Sequence, residues 1–121
     1  MNQTATPTAQ DWRARATALV INGQAFIDGR YVDAASGETF DDVTPIDGRV
    51  IARVASTDKA DVERAVAAAR RAFDSGDWSR QPPRERKRVL QRFAELILAH
   101  RDELALLETL DMGKPIQYSL A

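Results

Sequence analysis

The residues whose types could do chemistry lie near the end of the chain, in the stretch LETLDMGKP at residues 107–115. This stretch holds one carboxylate, Asp111, and the dipeptide Gly113-Lys114, which cradles phosphate in nucleotide-binding loops. The phosphate-loop pattern needs a glycine where Glu108 stands and a serine or threonine after the lysine, where this chain has proline. A glycine after an apolar turn, with a proline two residues on, instead predicts the end of a helix.

Asp111 is the unusual residue of this stretch. An acid in the last turn of a helix faces the negative end of the helix dipole, which costs roughly a few tenths of a kcal/mol. A favourable neighbour is therefore expected beside Asp111, and a lysine, a buried amide or a cation would each serve.

Composition excludes several kinds of site. The chain has no cysteine, so it contains no disulfide, no thiolate zinc site and no thiol nucleophile. Its one histidine, His100, cannot form a histidine metal site alone and is predicted to cap or pack at a helix junction. A net charge of -1 gives no reason to expect nucleic acid or a membrane as partner. No apolar run reaches membrane length and the N-terminus lacks signal-peptide features, which predicts a cytoplasmic protein.

A basic segment over residues 80–92 has the charge of a nucleic-acid patch. No aromatic residues are interleaved with its charges, and Val89-Leu90 predicts that the opposite face is packed. A solvated helix face is the favoured interpretation. Its six basic residues are Arg80, Arg84, Arg86, Lys87, Arg88 and Arg92.

The first half of the chain predicts one helix and several strands. Thr8 and Asp11 have capping-box spacing, which predicts a helix over residues 8–22. Residues 24–55 predict short antiparallel strands arranged as a meander. Asp28-Gly29 marks one hairpin, and the sequence PIDG at residues 45–48 marks a second turn.

Residues 57–121 predict helices. Thr57 or Asp58 caps the first, and Gly76 ends it. Pro82-Pro83 opens the next helix, with a break near His100-Arg101. The apolar stripes of these helices comprise Val62, Val66, Ala69 and Phe73 on one helix and Val89, Leu90, Phe93, Leu96 and Ile97 on the next. Taken alone, the residues describe an α+β fragment without a visible active site.

An ordered set of short motifs identifies a family resemblance. F-I-D-G, T-P-x-D-G, A-A-R-x-A-F, D-W-S and L-E-T-L-D-x-G-K-P follow one another in this sequence. From about Phe26 onward, and more loosely from Trp12, the chain resembles the amino-terminal region of the NAD(P)-dependent aldehyde dehydrogenase superfamily. The N-terminal helix and the DSGDWS corner are most similar to the branch that oxidises γ-glutamyl-γ-aminobutyraldehyde in putrescine breakdown.

The resemblance implies an α/β, Rossmann-like family fold of which this chain is a part. Residues 1–121 would be the N-terminal part of the NAD(P)-binding domain, truncated before most of the Rossmann-like sheet. The helix that opens after Pro115 lacks a closing signal, so the chain is expected to stop within an element. Its apolar helix stripes would then face a missing sheet.

The resemblance also implies the chemistry. The family oxidises aldehydes to carboxylic acids with NAD or NADP through a cysteine thioester, which a glutamate-activated water hydrolyses. The cysteine, the glutamate, the oxyanion-binding asparagine and the glycine-containing cofactor turn all lie downstream of the matched region. No catalytic or cofactor-binding residue is therefore assigned in this chain, and the chain alone is expected to be inactive and to bind no cofactor. The complete enzyme is expected to take a small-molecule aldehyde and to form homo-oligomers.

One site is carried over from the family. Several members hold a monovalent cation, Na+ or K+, at positions that match the backbone carbonyls of Asp42 and Val43 and the carboxylate of Asp111. Oxygen ligands suit such a hard cation. In many members water takes this place, and Asp111 would then cap or accept from backbone amides.

The sequence leaves two other functions open. The chain would act as a non-catalytic interaction module if it docks onto aldehyde dehydrogenase subunits, onto a complementary C-terminal fragment or onto another protein. Alternatively, it would be a non-enzymatic helical binding protein whose resemblance reflects ancestry alone.

Overall fold

The computed structural model describes residues 7–121, which form two β-hairpins followed by helices. In chain order the elements are α1 (Ala9–Ala18), β1 (Ala25–Ile27), β2 (Arg30–Val32), β3 (Thr39–Val43), β4 (Val50–Ala55), α2 (Lys59–Ser75), α3 (Pro83–Ala99), α4 (Arg101–Met112) and α5 (Ile116–Ser119). This is the α+β arrangement that the sequence predicts for the part of the family fold present here.

Helix α1 begins at the predicted capping box. The Asp11 N–H donates to Thr8 Oγ1 at 3.2 Å, and the Thr8 N–H donates to the Asp11 carboxylate at 2.7 Å. The helix ends at Ala18, four residues before the predicted end at residue 22, and Leu19 has an extended backbone.

Gly23, the residue after the predicted end of the helix, lies against strand β4. Its carbonyl accepts the Ala55 N–H at 2.8 Å. A Cβ at this position would lie 1.9 Å from the Arg53 carbonyl oxygen, so the close approach of two backbones requires glycine.

The hairpin signals are confirmed at both turns. Asp28 and Gly29 take φ values of 55° and 77°, as a type I′ turn requires, and Ile27 pairs with Arg30. The second hairpin pairs β3 with β4 around the PIDG turn, with an irregular register between Asp42 and Val43.

The predicted meander is wrong, because the described strands form two separate two-stranded sheets. The loop after β2 contains a tight turn, in which the Gly37 N–H donates to the Ala34 carbonyl at 2.8 Å. The Ala35 N–H then lies 3.1 Å from both carboxylate oxygens of Asp61, which is 1% exposed. The carboxylate of Asp61, on α2, therefore accepts the hydrogen bond of the Ala35 N–H in the loop between β2 and β3.

Helix signals in the second half are also observed. Asp58 caps α2 within a capping box, and Gly76 ends it in the left-handed region at φ 76°. Pro83 occupies the first turn of α3, and His100 separates α3 from α4. The break predicted near His100-Arg101 is therefore confirmed.

The core is small for a chain of this length. Among residues 7–121, the buried apolar residues are Ala34, Ala105, Leu106 and Leu110. The predicted stripes of α2 and α3 lie at the surface, as expected for helices whose covering sheet is missing, with Val66 62% and Phe93 61% exposed. Hence two amphipathic helices present their apolar faces to solvent.

No helix in residues 7–121 combines the length and apolar character that crossing a membrane requires.

Candidate functional site

The candidate site lies where α4 ends against the second hairpin. Gly113 ends the helix at φ 71°, and its N–H donates to the Thr109 carbonyl at 2.9 Å. A Cβ on Gly113 would lie 3.2 Å from Cγ of Pro45, the first residue of the PIDG turn. The predicted helix stop is thus confirmed, and the same glycine lets the turn pack closely against the helix end.

Thr44 joins the two elements. Its side chain is 1% exposed, and its hydroxyl donates to the carbonyl of Leu110. That carbonyl lies in the last turn of α4, where helix carbonyls lack partners within the helix. The bond fixes the end of β3 beside the turn of α4 that carries Asp111.

Asp42 and Asp111 are brought together by this joint. They border one groove of about 250 Å³, together with Ile21, Ile51 and Leu107. Partial burial, followed by the negative charge of Asp111 and a hydrogen bond between the two carboxyl groups, raises the pKa of Asp42 above its ordinary value. Two neighbouring carboxylates are stabilised when a proton or a cation reduces their mutual repulsion.

Lys114 does not supply that positive charge to Asp111. Its Nζ lies 3.0 Å from the Glu108 carboxylate, which borders the same groove. The ion pair gives Lys114 a structural role, which agrees with the rejection of a phosphate loop. The favourable neighbour that the position of Asp111 at the helix end predicts is therefore not Lys114.

Val43 is the third predicted ligand. It follows Asp42 at the end of β3 and pairs with Val50, whereas Asp42 pairs with Ala52. The irregular register therefore lies between the two residues whose carbonyls were assigned to the cation. Such irregularities re-aim backbone groups and recur beside functional sites.

The donor set suits a monovalent cation better than a transition metal. Carboxylate and carbonyl oxygens are hard ligands, and sulfur is absent from the set. No group of three or more histidine and acidic side chains arranged for a metal ion occurs in the described part of the chain. A site here would depend on Asp42, Asp111 and backbone carbonyls.

The residues present cannot perform the thiol chemistry of the family. The chain contains no cysteine. His100 is exposed at the junction of α3 and α4, where its Nδ1 lies 3.2 Å from the Glu103 carboxylate. It lies at the predicted helix junction, but its exposed side chain makes no capping hydrogen bond to the backbone of α4.

Three residues matter in the structure that the sequence did not single out for these roles. Asp61 was assigned no role, Thr44 was named only as part of the T-P-x-D-G motif, and Arg86 was grouped with a solvated face. Arg86 is half-buried, so the solvated-face interpretation is wrong for this member of the group. Their partners are distant in sequence or absent from the described residues, which local patterns cannot reveal.

Comparison with known proteins identifies relatives over nearly the whole chain. Residues 31–121 match the family model described as the aldehyde dehydrogenase family. NADP/NAD-dependent aldehyde dehydrogenase PuuC of Escherichia coli is 48% identical over 109 residues, which cover 90% of this chain and 22% of PuuC. Aminoacetaldehyde dehydrogenase of Pseudomonas aeruginosa is 47% identical over 108 residues, which cover 89% of this chain and 22% of that protein.

Solved structures give the same result. Indole-3-acetaldehyde dehydrogenase AldA of P. syringae, in complex with NAD+ and IAA, superposes with a TM-score of 0.94 at 59% identity, covering 96% of this chain and 23% of AldA. γ-Glutamyl-γ-aminobutyraldehyde dehydrogenase of Burkholderia cenocepacia gives a TM-score of 0.91 at 58% identity, covering 93% of this chain and 23% of that one. The predicted likeness to the last branch is confirmed. This chain spans slightly less than a quarter of the length of these relatives.

Proposed function

The chain belongs to the aldehyde dehydrogenase family, and we propose that it forms the N-terminal part of an enzyme that oxidises an aldehyde to a carboxylic acid with NAD(P)+. The observation that carries this proposal is the superposition of nearly the whole chain on solved aldehyde dehydrogenases, with a TM-score of 0.94 for the NAD+ complex. The nucleophile must come from residues outside this chain, which contains no cysteine.

The substrate class follows from the relatives. Three of those reported above are named for particular aldehydes: aminoacetaldehyde, indole-3-acetaldehyde and γ-glutamyl-γ-aminobutyraldehyde. We propose a small aldehyde of this kind as substrate, within putrescine breakdown, and either NAD or NADP as cofactor. The complete enzyme is proposed to be a cytoplasmic homo-oligomer.

A hybrid enzyme tests the proposal. In this hybrid, the segment of PuuC that matches this chain is replaced by residues 1–121, so that PuuC supplies all remaining parts. We expect aldehyde-dependent formation of NADH or NADPH at a rate within about tenfold of PuuC, since the exchanged segments are 48% identical over 109 residues and PuuC keeps its remaining parts. A hybrid that unfolds as cooperatively as PuuC but produces no reduced cofactor with any small aldehyde would contradict the proposal.

The groove at Asp42 and Asp111 is proposed to hold a monovalent cation. The raised pKa of Asp42 supports this assignment, because its immediate causes are partial burial and the neighbouring negative charge. Backbone carbonyls of Asp42 and Val43 and the carboxylate of Asp111 would be the ligands. The ion would offset the repulsion between the carboxylates and join the end of α4 to β3.

Salt identity tests the cation site. Because the folded state raises the pKa of Asp42, stability falls as pH rises from the ordinary value of 3.8 through the folded value. At neutral pH the repulsion between Asp42 and Asp111 is unfavourable for the folded state, and a bound cation would reduce it. At pH 7, K+ should therefore raise the Tm of the hybrid enzyme above its value in tetramethylammonium at equal ionic strength. Asp111→Asn should abolish that difference, whereas Asp47→Asn in the exposed PIDG turn should keep it.

Equal Tm values in the two salts would refute the cation site, as would a difference that survives Asp111→Asn. A crystal of the hybrid soaked in rubidium provides an independent test, because a bound ion gives an anomalous peak beside Asp111.

A second function is favoured by a specific observation. The apolar stripes of α2 and α3 are exposed, which is typical of surfaces that bind another protein. As a separate polypeptide, the chain would act as a non-catalytic module that docks onto aldehyde dehydrogenase subunits or a complementary fragment.

A further inference from the structure

A groove of about 280 Å³ lies between the first hairpin and helix α2. It shares no lining residue with the groove at Asp42 and Asp111. Three arginines and one acid contribute charge to its lining, so positive charge exceeds negative charge there. The lining residues are Ile27, Asp28, Arg30, Val32, Arg64, Ala67 and Arg71. This space is called the arginine groove.

Helix α2 contributes one wall of the arginine groove. Arg64, Ala67 and Arg71 follow one another at spacings of three and four residues, which places them on one face of the helix. That face is opposite the apolar stripe that contains Val66 and Phe73. Seven residues separate the two arginines by roughly 10 Å along the helix axis, and the short side chain of Ala67 leaves space between them. A surface that covers the stripe would therefore leave the arginine groove accessible.

Two of the three arginines are held in place by acids. Arg64 pairs with Asp61, a carboxylate that is 1% exposed, and the Nη2 atom of Arg71 lies 3.2 Å from the carboxylate of Asp28. Each guanidinium has five N–H donors, and a single acid engages only some of them. Donors fixed in this way are preorganised, which lowers the entropy that a ligand loses when it binds them.

Arg30 differs from the other two arginines. It begins β2 directly after the Asp28-Gly29 turn, and it lines the same groove. Within residues 7–121 it forms no ion pair, whereas Arg64 and Arg71 each have one. Structural ion pairs between hairpin and helix thus account for two of the cations but not for Arg30. A third cation beside two others is favoured when an anion lies between them.

We propose that the arginine groove binds a small organic anion. Its carboxylate or phosphate group would accept hydrogen bonds from the three arginines, because guanidinium groups match both kinds of oxyanion in a bidentate manner. Its hydrocarbon part would lie on the apolar floor formed by Ile27, Val32 and Ala67. The groove is slightly smaller than the range of about 300–1,000 Å³ that is usual for ligand pockets, so the anion carries a short chain.

Calorimetric titration of the hybrid enzyme at pH 7 tests this proposal, with butyrate and butyl phosphate as probes. We expect saturable binding of at least one probe, and comparison of the two Kd values distinguishes a carboxylate from a phosphate ligand. Acetate and inorganic phosphate should bind more weakly than the butyl probe with the same head group, because they lack the chain that contacts the apolar floor. A probe-free groove, with no binding of either butyl compound, would overturn the proposal.

Substitutions separate the arginine groove from any other anion site of the hybrid. Arg30→Gln should weaken binding by about tenfold or more, because charge-assisted hydrogen bonds are lost. Arg70→Gln is the matched control, since Arg70 lies over the Phe73 ring and 3.9 Å from the Asp74 carboxylate, outside the groove lining. Equal Kd values for the parent and Arg30→Gln would overturn the proposal.

Ala67→Leu tests the space without changing the charge. The larger side chain should fill the groove between the arginines of α2 and weaken binding by at least as much as Arg30→Gln, while the Tm without probe stays within error of the parent. Unchanged affinity in a folded Ala67→Leu hybrid would contradict the proposed position of the ligand.

A second measurement uses residues 1–121 alone. The arginine Nε–H signals in nitrogen-15 NMR spectra are assigned with the Arg→Gln variants, and the butyl probe should shift those of Arg30, Arg64 and Arg71 but not that of Arg70. An unshifted Arg30 signal would overturn the proposal even if the hybrid does not fold. Neither measurement depends on catalysis, so an inactive hybrid that binds the probe refutes the proposed function and supports the anion site.

Discussion

Asp61 determines how the first hairpin loop meets the helices. Its carboxylate accepts from the Ala35 N–H at 3.1 Å and from the Asp58 N–H at 3.2 Å, and it pairs with Arg64. These hydrogen bonds, led by that of Ala35, hold the pKa of Asp61 below its ordinary value of 3.8. A buried carboxylate on α2 thus holds the loop that follows β2, where the sequence had predicted pairing of β2 with β3.

Asp61→Asn is expected to destabilise the hybrid enzyme at pH 7 by several degrees in Tm. Asparagine offers one acceptor oxygen and places an NH₂ donor against the donors that surround it. The measurement is Tm against pH, with the exposed Asp74→Asn as control.

The pH dependence has a defined sign. Because the folded pKa of Asp61 is lowered, its contribution to stability is fully present above 3.8 and is lost as pH falls through the folded value. The Tm gap between parent and Asp61→Asn should therefore be constant above that pH and shrink below it. Equal Tm values at pH 7 would show that the carboxylate does not hold the loop.

Local sequence signals predicted some residue roles and missed others for a physical reason. Asp11 and Asp58 were identified because their partners lie within three residues, inside a capping box. The partner of Asp61, Ala35, is 26 residues away. The proximity of Asp42 and Asp111 likewise came only from family resemblance, since residue patterns give no distance between a strand and a helix end.

At the scale of elements, the joint between α4 and the second hairpin is the best-defined feature. It combines the left-handed end of α4 at Gly113, the hydroxyl of Thr44 on the Leu110 carbonyl and the close approach of Pro45. The contacts of Thr44 with Leu110 and of Pro45 with Gly113 join residues far apart in sequence. The candidate cation groove exists because this joint places β3 beside the last turn of α4.

Gly113→Ala compared with Gly48→Ala tests this joint. Both glycines lie at positive φ, at 71° and 76°, so an alanine at either site costs roughly 1–2 kcal/mol of backbone strain. A Cβ at Gly48 meets open space, whereas at Gly113 it lies 3.2 Å from Pro45 Cγ. Gly113→Ala should therefore lower the free energy of unfolding by about 1 kcal/mol more than Gly48→Ala.

Urea unfolding of the two hybrid variants gives these free energies. Equal losses would mean that Pro45 moves aside freely and that the joint is looser than the structure indicates.

Element boundaries were predicted accurately where the local sequence signal is strong. Turns with Asp-Gly or a C-terminal glycine were predicted at the observed positions, because φ > 0 restricts the residue type strongly. The meander was predicted wrongly, because pairing of β2 with β3 depends on where the intervening loop goes. The end of helix α1 was also placed too late. Local patterns do not show that Gly23 packs against the backbone of β4, outside the helix.

At the scale of the whole molecule, burial is unevenly distributed. The buried apolar residues of the described chain lie in the loop after β2 and along α4, whereas the stripes of α2 and α3 face outward. Sequence periodicity predicted which residues form those stripes. The family resemblance added the expectation that these stripes would lack a sheet to cover them.

The exposed stripes and the absence of cysteine together indicate what this chain would contribute to an enzyme. An aldehyde dehydrogenase needs a thiol nucleophile, and the chain contains none. The chain would therefore contribute packing surface and the groove at Asp42 and Asp111, while a longer partner provides the reacting groups. Activity should then depend on both parts being present.

Restoration of activity in trans is the most direct measurement of this account. The chain and PuuC lacking the matching segment are produced separately and together, and aldehyde-dependent NADH formation is followed at equal protein concentrations. We predict reduced cofactor only when both are produced together. NADH formation by residues 1–121 alone, or at the same rate by the shortened PuuC without them, would contradict the account.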